Sequence, residues 1–157
     1  MQTIHFPVDA RPSWLVHPVL ALGNFDGLHR GHQKIVERIR RSAADRGATA
    51  LVLTFDPHPP RVVRPDKAPS LLMTMPQKVA ALERAGLHGV AVVRFTEAFS
   101  KWSPEQFVRQ VAHESDGVGK RRLEARREVQ ATHRRIESGE QLVGCIRIGA
   151  SEAIEQR

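Results

Sequence analysis

Apolar positions along the chain fall into two alternating periods. Val19 to Gly23 is a short continuous apolar run closed by a glycine, which predicts a buried strand. From Gln33 to Arg46 the apolar residues Ile35, Val36, Ile39 and Ala43 recur at helical spacing, and Gly47 supplies the stop. Ala48 to Phe55 (ATALVLTF) returns to a nearly unbroken apolar run, as a central parallel strand requires. Pro57, Pro59, Pro60 and Pro65 then predict a loop excluded from helix and from sheet interior. Thr74 and Gln77 stand at capping-box spacing around Pro76, opening a helix that runs to about Ala85 before Gly86. Val90 to Phe95 is a third strand. Ser103-Pro104-Glu105-Gln106 repeats the capping box and opens a helix burying Phe107, Val108 and Val111. This order predicts an α/β fold, a parallel sheet joined by right-handed crossovers.

The last stretch has another character. All eight Phe and Trp residues stand at or before Phe107, and charged residues are 17 of the last 45 against 24 of the first 112. Gly117 to Arg135 reads as a charged helix or a disordered segment, anchored only sparsely by Leu123, Val129 and Ile136. Leu142 to Ile148 (LVGCIRI) reads as one strand. The chain therefore divides into residues 1–112, which hold the motifs, and a charged tail, 113–157.

Charge adds to this division. The formal net charge is +7, and residues 1–112 hold 15 Lys/Arg against 9 Asp/Glu, whereas 113–157 hold 9 against 8. A positive field over the motif-bearing part concentrates anions. Nucleic acid is the competing partner, but the basic residues are scattered and lack interleaved aromatic platforms. No apolar run approaches the ~18 residues of a membrane span, and the N-terminus lacks a signal-like apolar core. Cys145 is the only cysteine, which excludes an internal disulfide and fits a reducing cytoplasm. At 157 residues the chain fits one domain; nothing in it sets an oligomeric state.

Chemistry concentrates in Leu22-Gly23-Asn24-Phe25-Asp26-Gly27-Leu28-His29-Arg30-Gly31-His32. Gly23, Gly27 and Gly31 let backbone approach a ligand closely, and the helix that follows offers unpaired N–H groups to an anion. The glycines alone would equally make a ligand-free turn; His29 and His32, three residues apart at the helix mouth, point to a shared phosphate group. Zinc is the other reading of two histidines near Asp26, but no third ligand stands at motif spacing and only His58 could approach in space. His5, His17, His88, His113 and His133 form no constellation.

GNFDGLHRGH resembles the HxGH nucleotidyltransferase signature in the form carried by bacterial FAD synthetases, the bifunctional riboflavin kinase/FMN adenylyltransferases. Four more segments are similar to that family in the same order: Thr54-Phe55-Asp56-Pro57-His58-Pro59, Lys67-Ala68-Pro69 with Leu72-Met73-Thr74, Gln77-Lys78, and Phe95 to Val108. The resemblance spans about residue 15 to about residue 112. It implies a Rossmann-like fold and FMN adenylyltransferase activity, in which an FMN phosphate oxygen attacks the α-phosphorus of ATP and pyrophosphate leaves. It implies that His29 and His32 contact the triphosphate, and that Gly23, Asn24, Phe25, Asp26, Gly27 and Gly31 shape the ATP loop. Pro57, His58 and Pro59 would line the flavin side, with Arg61 and Arg64 as lesser candidates for the flavin phosphate. Mg²⁺ would accompany the phosphates, and no resident metal site is implied. Another HxGH nucleotidyltransferase with a different acceptor, or a non-catalytic nucleotide- or flavin-binding remnant, are the alternatives.

Past that point the pattern stops. The family continues with a fourth strand bearing a flavin loop and a Ser-Ser/Thr-x-x-Arg segment, and neither is present; nothing resembles the riboflavin kinase domain. A shifted reading frame or a truncated gene would produce such a change. The implied sheet is thus incomplete at its C-terminal side: Val19–Gly23 becomes an open edge, and turnover weak, unless Leu142–Ile148 fills the gap.

Overall fold

The computed structural model describes residues 1–6, 12–103, 105–107, 109–110 and 144–147. Five strands form one sheet in the order β1-β4-β3-β2-β5: β1 Gln2–Phe6, β2 Val19–Leu22, β3 Ala50–Asp56, β4 Gly89–Arg94 and β5 Gly144–Arg147. The first four run parallel, Val19 to Leu22 pairing with Ala50 to Leu53 and Leu51 to Asp56 with Gly89 to Arg94. This is the predicted Rossmann-like α/β arrangement. Two features correct the expectation. A strand not foreseen, β1, lies outside β4, and β5 runs antiparallel along β2, with Ala21 opposite Cys145.

The predicted open edge is therefore closed. β5 supplies main-chain partners to Val19–Leu22, which removes unpaired N–H and C=O groups from a strand buried at all four positions. Gly117–Arg135, and Leu142, Val143 and Ile148 at the ends of the predicted strand, lie outside the described residues, as do Val108 and Val111.

Alternation along the strands feeds two cores. Val19, Ala21, Ala50, Val52, Val90 and Val92 point to one face, where they meet Val36, Ile39 and Ala43 of α1 (Arg30–Ala44) and Leu82 of α3 (Met75–Arg84). Leu20, Leu22, Leu51, Leu53, Ala91 and Val93 point to the other, against Val62 of α2 (Pro59–Val63) and Phe99 of α4 (Glu97–Ser100). Full burial of a Val, Ile or Leu side chain is worth roughly 1.5–3 kcal/mol, so the two faces supply the main drive for folding.

Local signals set the ends of the helices. Gly47 and Gly86, at φ 59° and 80°, follow α1 and α3 as left-handed stops. Thr74 caps α3 by a complete capping box: Gln77 N–H donates to Thr74 Oγ1 and Thr74 N–H to Gln77 Oε1 (2.9 Å). Ser103 and Gln106 exchange the same pair of bonds, at 2.7 and 3.2 Å. The proline segment is not the loop expected. Pro59 and Pro60 occupy the first turn of α2, where a missing N–H costs nothing, and Pro65 opens a 3₁₀ turn through Lys67.

Candidate active site

β2 and β3 are neighbours at the middle of the sheet, so the turns after their C-terminal ends lie side by side, where open α/β sheets take ligands. Gly23 N–H donates to Leu53 C=O (3.1 Å), which ties the first turn to β3. Beyond it the backbone enters the left-handed region at Phe25 (φ 49°), Gly27 (φ 75°) and Leu28 (φ 37°). For two non-glycine residues this costs about 1–2 kcal/mol each, and complete burial of the Phe25 ring offsets it. That ring is part of the core against His32 (centroids 4.9 Å), so Phe25 faces the turn with backbone alone. Asp26 is also committed. Its carboxylate accepts Leu72 N–H (2.9 Å) and Met73 N–H (3.0 Å), strapping a distant loop over the turn.

The two histidines meet at the mouth of α1. His29 is the N-cap, and its Nδ1 accepts the backbone N–H of His32 (3.3 Å). A neutral ring that accepts at Nδ1 carries its proton on Nε2. The rings stack with centroids 3.7 Å apart and an interplanar angle of 20°. His29 is exposed; His32 is buried at 1 %. Burial pushes the His32 imidazole down to about 4, and His29 and Lys78 push the same way against Asp26. His32 is therefore neutral near pH 7. With Gln33 N–H taken by His29 C=O (3.0 Å), Arg30 and Gly31 keep first-turn N–H groups without a partner among the described residues.

The second turn brings His58 to the same place. Pro59 is buried and Pro57 exposed, while burial lowers the His58 imidazole, as does the Lys78 ammonium. Arg61 and Arg64 are exposed. Three buried polar atoms have no hydrogen-bond partner among the described residues: Asn24 Oδ1, His32 Nδ1 and His58 Nδ1. Such orphans are uncommon in folded proteins.

Thr54 and Lys78 were given no role on sequence grounds. Thr54 is fully buried, and its hydroxyl donates to Asn24 C=O (3.1 Å), linking the end of β3 to the glycine turn. Lys78 donates to Thr54 Oγ1 (3.5 Å) from the buried side of α3. The available signal was its place in the stripe Lys78, Ala81, Leu82 and Ala85, a cation on an apolar helix face. Zinc finds no cage here. Asp26 is spent on backbone N–H groups, and among the described residues no three His, Cys, Asp or Glu side chains surround a metal position. Among the other histidines, His88 Nδ1 accepts Ala50 N–H (2.9 Å), a structural bond, and His5 and His17 are exposed. His113 and His133 lie outside the described residues. No helix among the described residues is long and apolar enough to cross a membrane.

Comparison with known proteins bears on the family. A family model described as FAD synthetase matches residues 14–120, starting where the resemblance was expected and running a little past residue 112. The bifunctional riboflavin kinase/FMN adenylyltransferase of Bacillus subtilis (strain 168) is 40% identical over 116 residues, covering 70% of this chain and 36% of that protein. The protein so described from Listeria monocytogenes is 38% identical over 111 residues, 69% of this chain and 35% of its own. That of Escherichia coli (strain K12) is 33% identical over 90 residues, with 57% and 29% covered. The chain thus spans about a third of the length of these curated relatives. A solved structure described as a macrolide-efflux protein from Streptococcus pneumoniae superposes with a TM-score of 0.57 at 21% identity, covering 69% of this chain and 36% of that one. At such identity the likeness concerns the fold alone. With the family model matching most of this chain, residues 14–120, the chain belongs to the FAD synthetase family.

Proposed function

We propose that this chain acts as an FMN adenylyltransferase, moving AMP from ATP to FMN with release of pyrophosphate. The observation that carries the reading is His32: buried, neutral, stacked under His29 at the N-terminus of α1, with Nδ1 unpartnered. The Arg30 and Gly31 N–H groups and the positive end of the α1 dipole attract the triphosphate. His29 Nε2–H, at the exposed side of the stack, donates to a phosphate oxygen. His32 is a neutral hydrogen-bonding group for a phosphate-side proton or donor, and not a second cation.

Displacement at phosphorus needs no covalent enzyme intermediate, so positioning and charge stabilisation supply the rate. Bound FMN would lie toward Pro57, His58 and Pro59, beside the nucleotide because the two turns are neighbours. Mg²⁺ would enter with ATP and take phosphate and water oxygens, its usual preference. Loss of the family's flavin loop and Ser-Ser/Thr-x-x-Arg segment makes the expected rate lower than that of the full-length relatives.

The test is pyrophosphate release from MgATP with and without FMN, on the parent chain and on His32→Ala. FMN-dependent release that falls about a hundredfold in the variant, the scale of one lost transition-state donor, supports the reading. Equal release in both chains overturns it. Nucleotide binding without release favours the non-catalytic alternative.

A further inference from the structure

Lys78 is a cation held inside the protein. It is only 4% exposed, and among the described residues its ammonium forms no ion pair and hydrogen-bonds to Thr54 Oγ1 alone, at 3.5 Å. A buried ammonium without a close carboxylate is costly to fold around, and an apolar residue would fill the same place on α3 more cheaply. The titratable groups that interact with it come from four neighbouring segments: Asp26 in the glycine turn, Asp56 at the end of β3, His32 on α1 and His58 before α2. Burial lowers the Lys78 ammonium, and the Asp26 and Asp56 carboxylates act against that. The lysine is the cation that both His32 and His58 feel, although those histidines belong to the two different turns of the site.

We infer that Lys78 is a phosphate-binding residue, its ammonium taking the FMN phosphate where the flavin-side and nucleotide-side turns meet. The inference rests on the adenylyltransferase reading for the identity of the phosphate. In that step an oxygen of the FMN phosphate forms a bond to the α-phosphorus of ATP while the bond to the bridging oxygen of the β-phosphate breaks. The electron pair leaves on pyrophosphate. Two anions must approach each other, and a cation fixed between them removes part of that repulsion without reorganising. Lys78 keeps its protons throughout. Nδ1 of His32 and Nδ1 of His58 are buried without a hydrogen-bond partner among the described residues, which leaves hydrogen-bonding capacity in both turns.

The test compares FMN with riboflavin, ligands that differ by the phosphate alone, for binding to the parent chain, Lys78→Met and Lys78→Arg. The parent should prefer FMN by about tenfold or more, the worth of one charge-assisted hydrogen bond. The preference should vanish in Lys78→Met and survive in part in Lys78→Arg. A second readout needs no variant: the side-chain ¹⁵N resonance of Lys78 in the parent should move on adding FMN and stay on adding riboflavin. Absence of any FMN preference in the parent, or an unchanged preference in a folded Lys78→Met, overturns the inference. So does a resonance indifferent to FMN. The two claims separate cleanly. A lysine-dependent preference without pyrophosphate release sustains the phosphate contact and overturns the activity. Release unaffected by Lys78→Met sustains the activity and overturns the contact.

Discussion

The His29 ring lies flat over the His32 ring, 3.7 Å between centroids, while its Nδ1 holds the His32 backbone N–H. One interaction fixes a tautomer and the other excludes water from the lower ring. The upper imidazole is thereby presented to solvent as a directed donor, and the lower one is kept uncharged. Two imidazolium ions at that separation would repel, and His29 is among the groups that hold the His32 imidazole down.

Neutral His32 gives stability a pH dependence. Its folded value is about 4 against 6.5 ordinarily, so the unfolded chain binds the proton more readily. The stabilisation is complete above pH 6.5 and is lost as pH falls toward 4. At ~1.4 kcal/mol per pH unit the span is about 3 kcal/mol. Urea denaturation at pH 7.5 and 4.5 should show that loss in the parent, and a clearly smaller one in His32→Phe.

Asp26 accepts two backbone N–H bonds from residues far along the chain, Leu72 and Met73. Asp26→Ala leaves both without an acceptor and should cost about 2 kcal/mol, at 1.5 kcal/mol or less for each partly exposed charge-assisted bond. Asp26→Asn keeps one acceptor oxygen and should cost about half as much. Limited proteolysis should find the 70–73 loop more readily cut in Asp26→Ala than in the parent.

Gly31 predicts a separation of stability from binding. A Cβ there would stand 3.1 Å from the His29 ring atoms Cε1 and Nδ1, so the ring must shift from its stack. Alanine nevertheless suits a helix better than glycine by roughly 0.5–1 kcal/mol. Gly31→Ala should melt no lower than the parent and bind MgATP several-fold more weakly.

Gly27 contrasts with it. At φ 75° any other residue is strained, and a Cβ would meet Leu72 Cδ1 at 2.7 Å. Leu72 is 75% exposed, so its tip can swing away, and the backbone penalty of about 1–2 kcal/mol is what remains. Gly27→Ala should therefore lose that amount by thermal denaturation, and adding Leu72→Ala should not restore it.

Much of this fold was legible because its signals are local. Val19–Leu22, Ala50–Asp56 and Gly89–Arg94 are apolar runs, and Thr74 with Gln77 announces its own helix. β1 was not legible: Gln2, Thr3 and His5 are exposed on an edge strand, so no apolar pattern marks it. α2 was hidden by prolines that a first turn tolerates. The candidate site residues stand out in the sequence as a motif, but their environment does not. Burial of His32 depends on Phe25 and His29, and Lys78 reaches Thr54 only because α3 packs beside the end of β3. These are tertiary facts, without a local signature.

The most direct test is calorimetric titration of MgATP into the parent chain, His29→Ala and Gly31→Ala, each first shown to be folded. Saturable binding by the parent, weakened about tenfold or more when the exposed imidazole is removed, is the predicted result. Equal affinity in all three chains would contradict the claim that the glycine turn and its stacked histidines hold a polyphosphate.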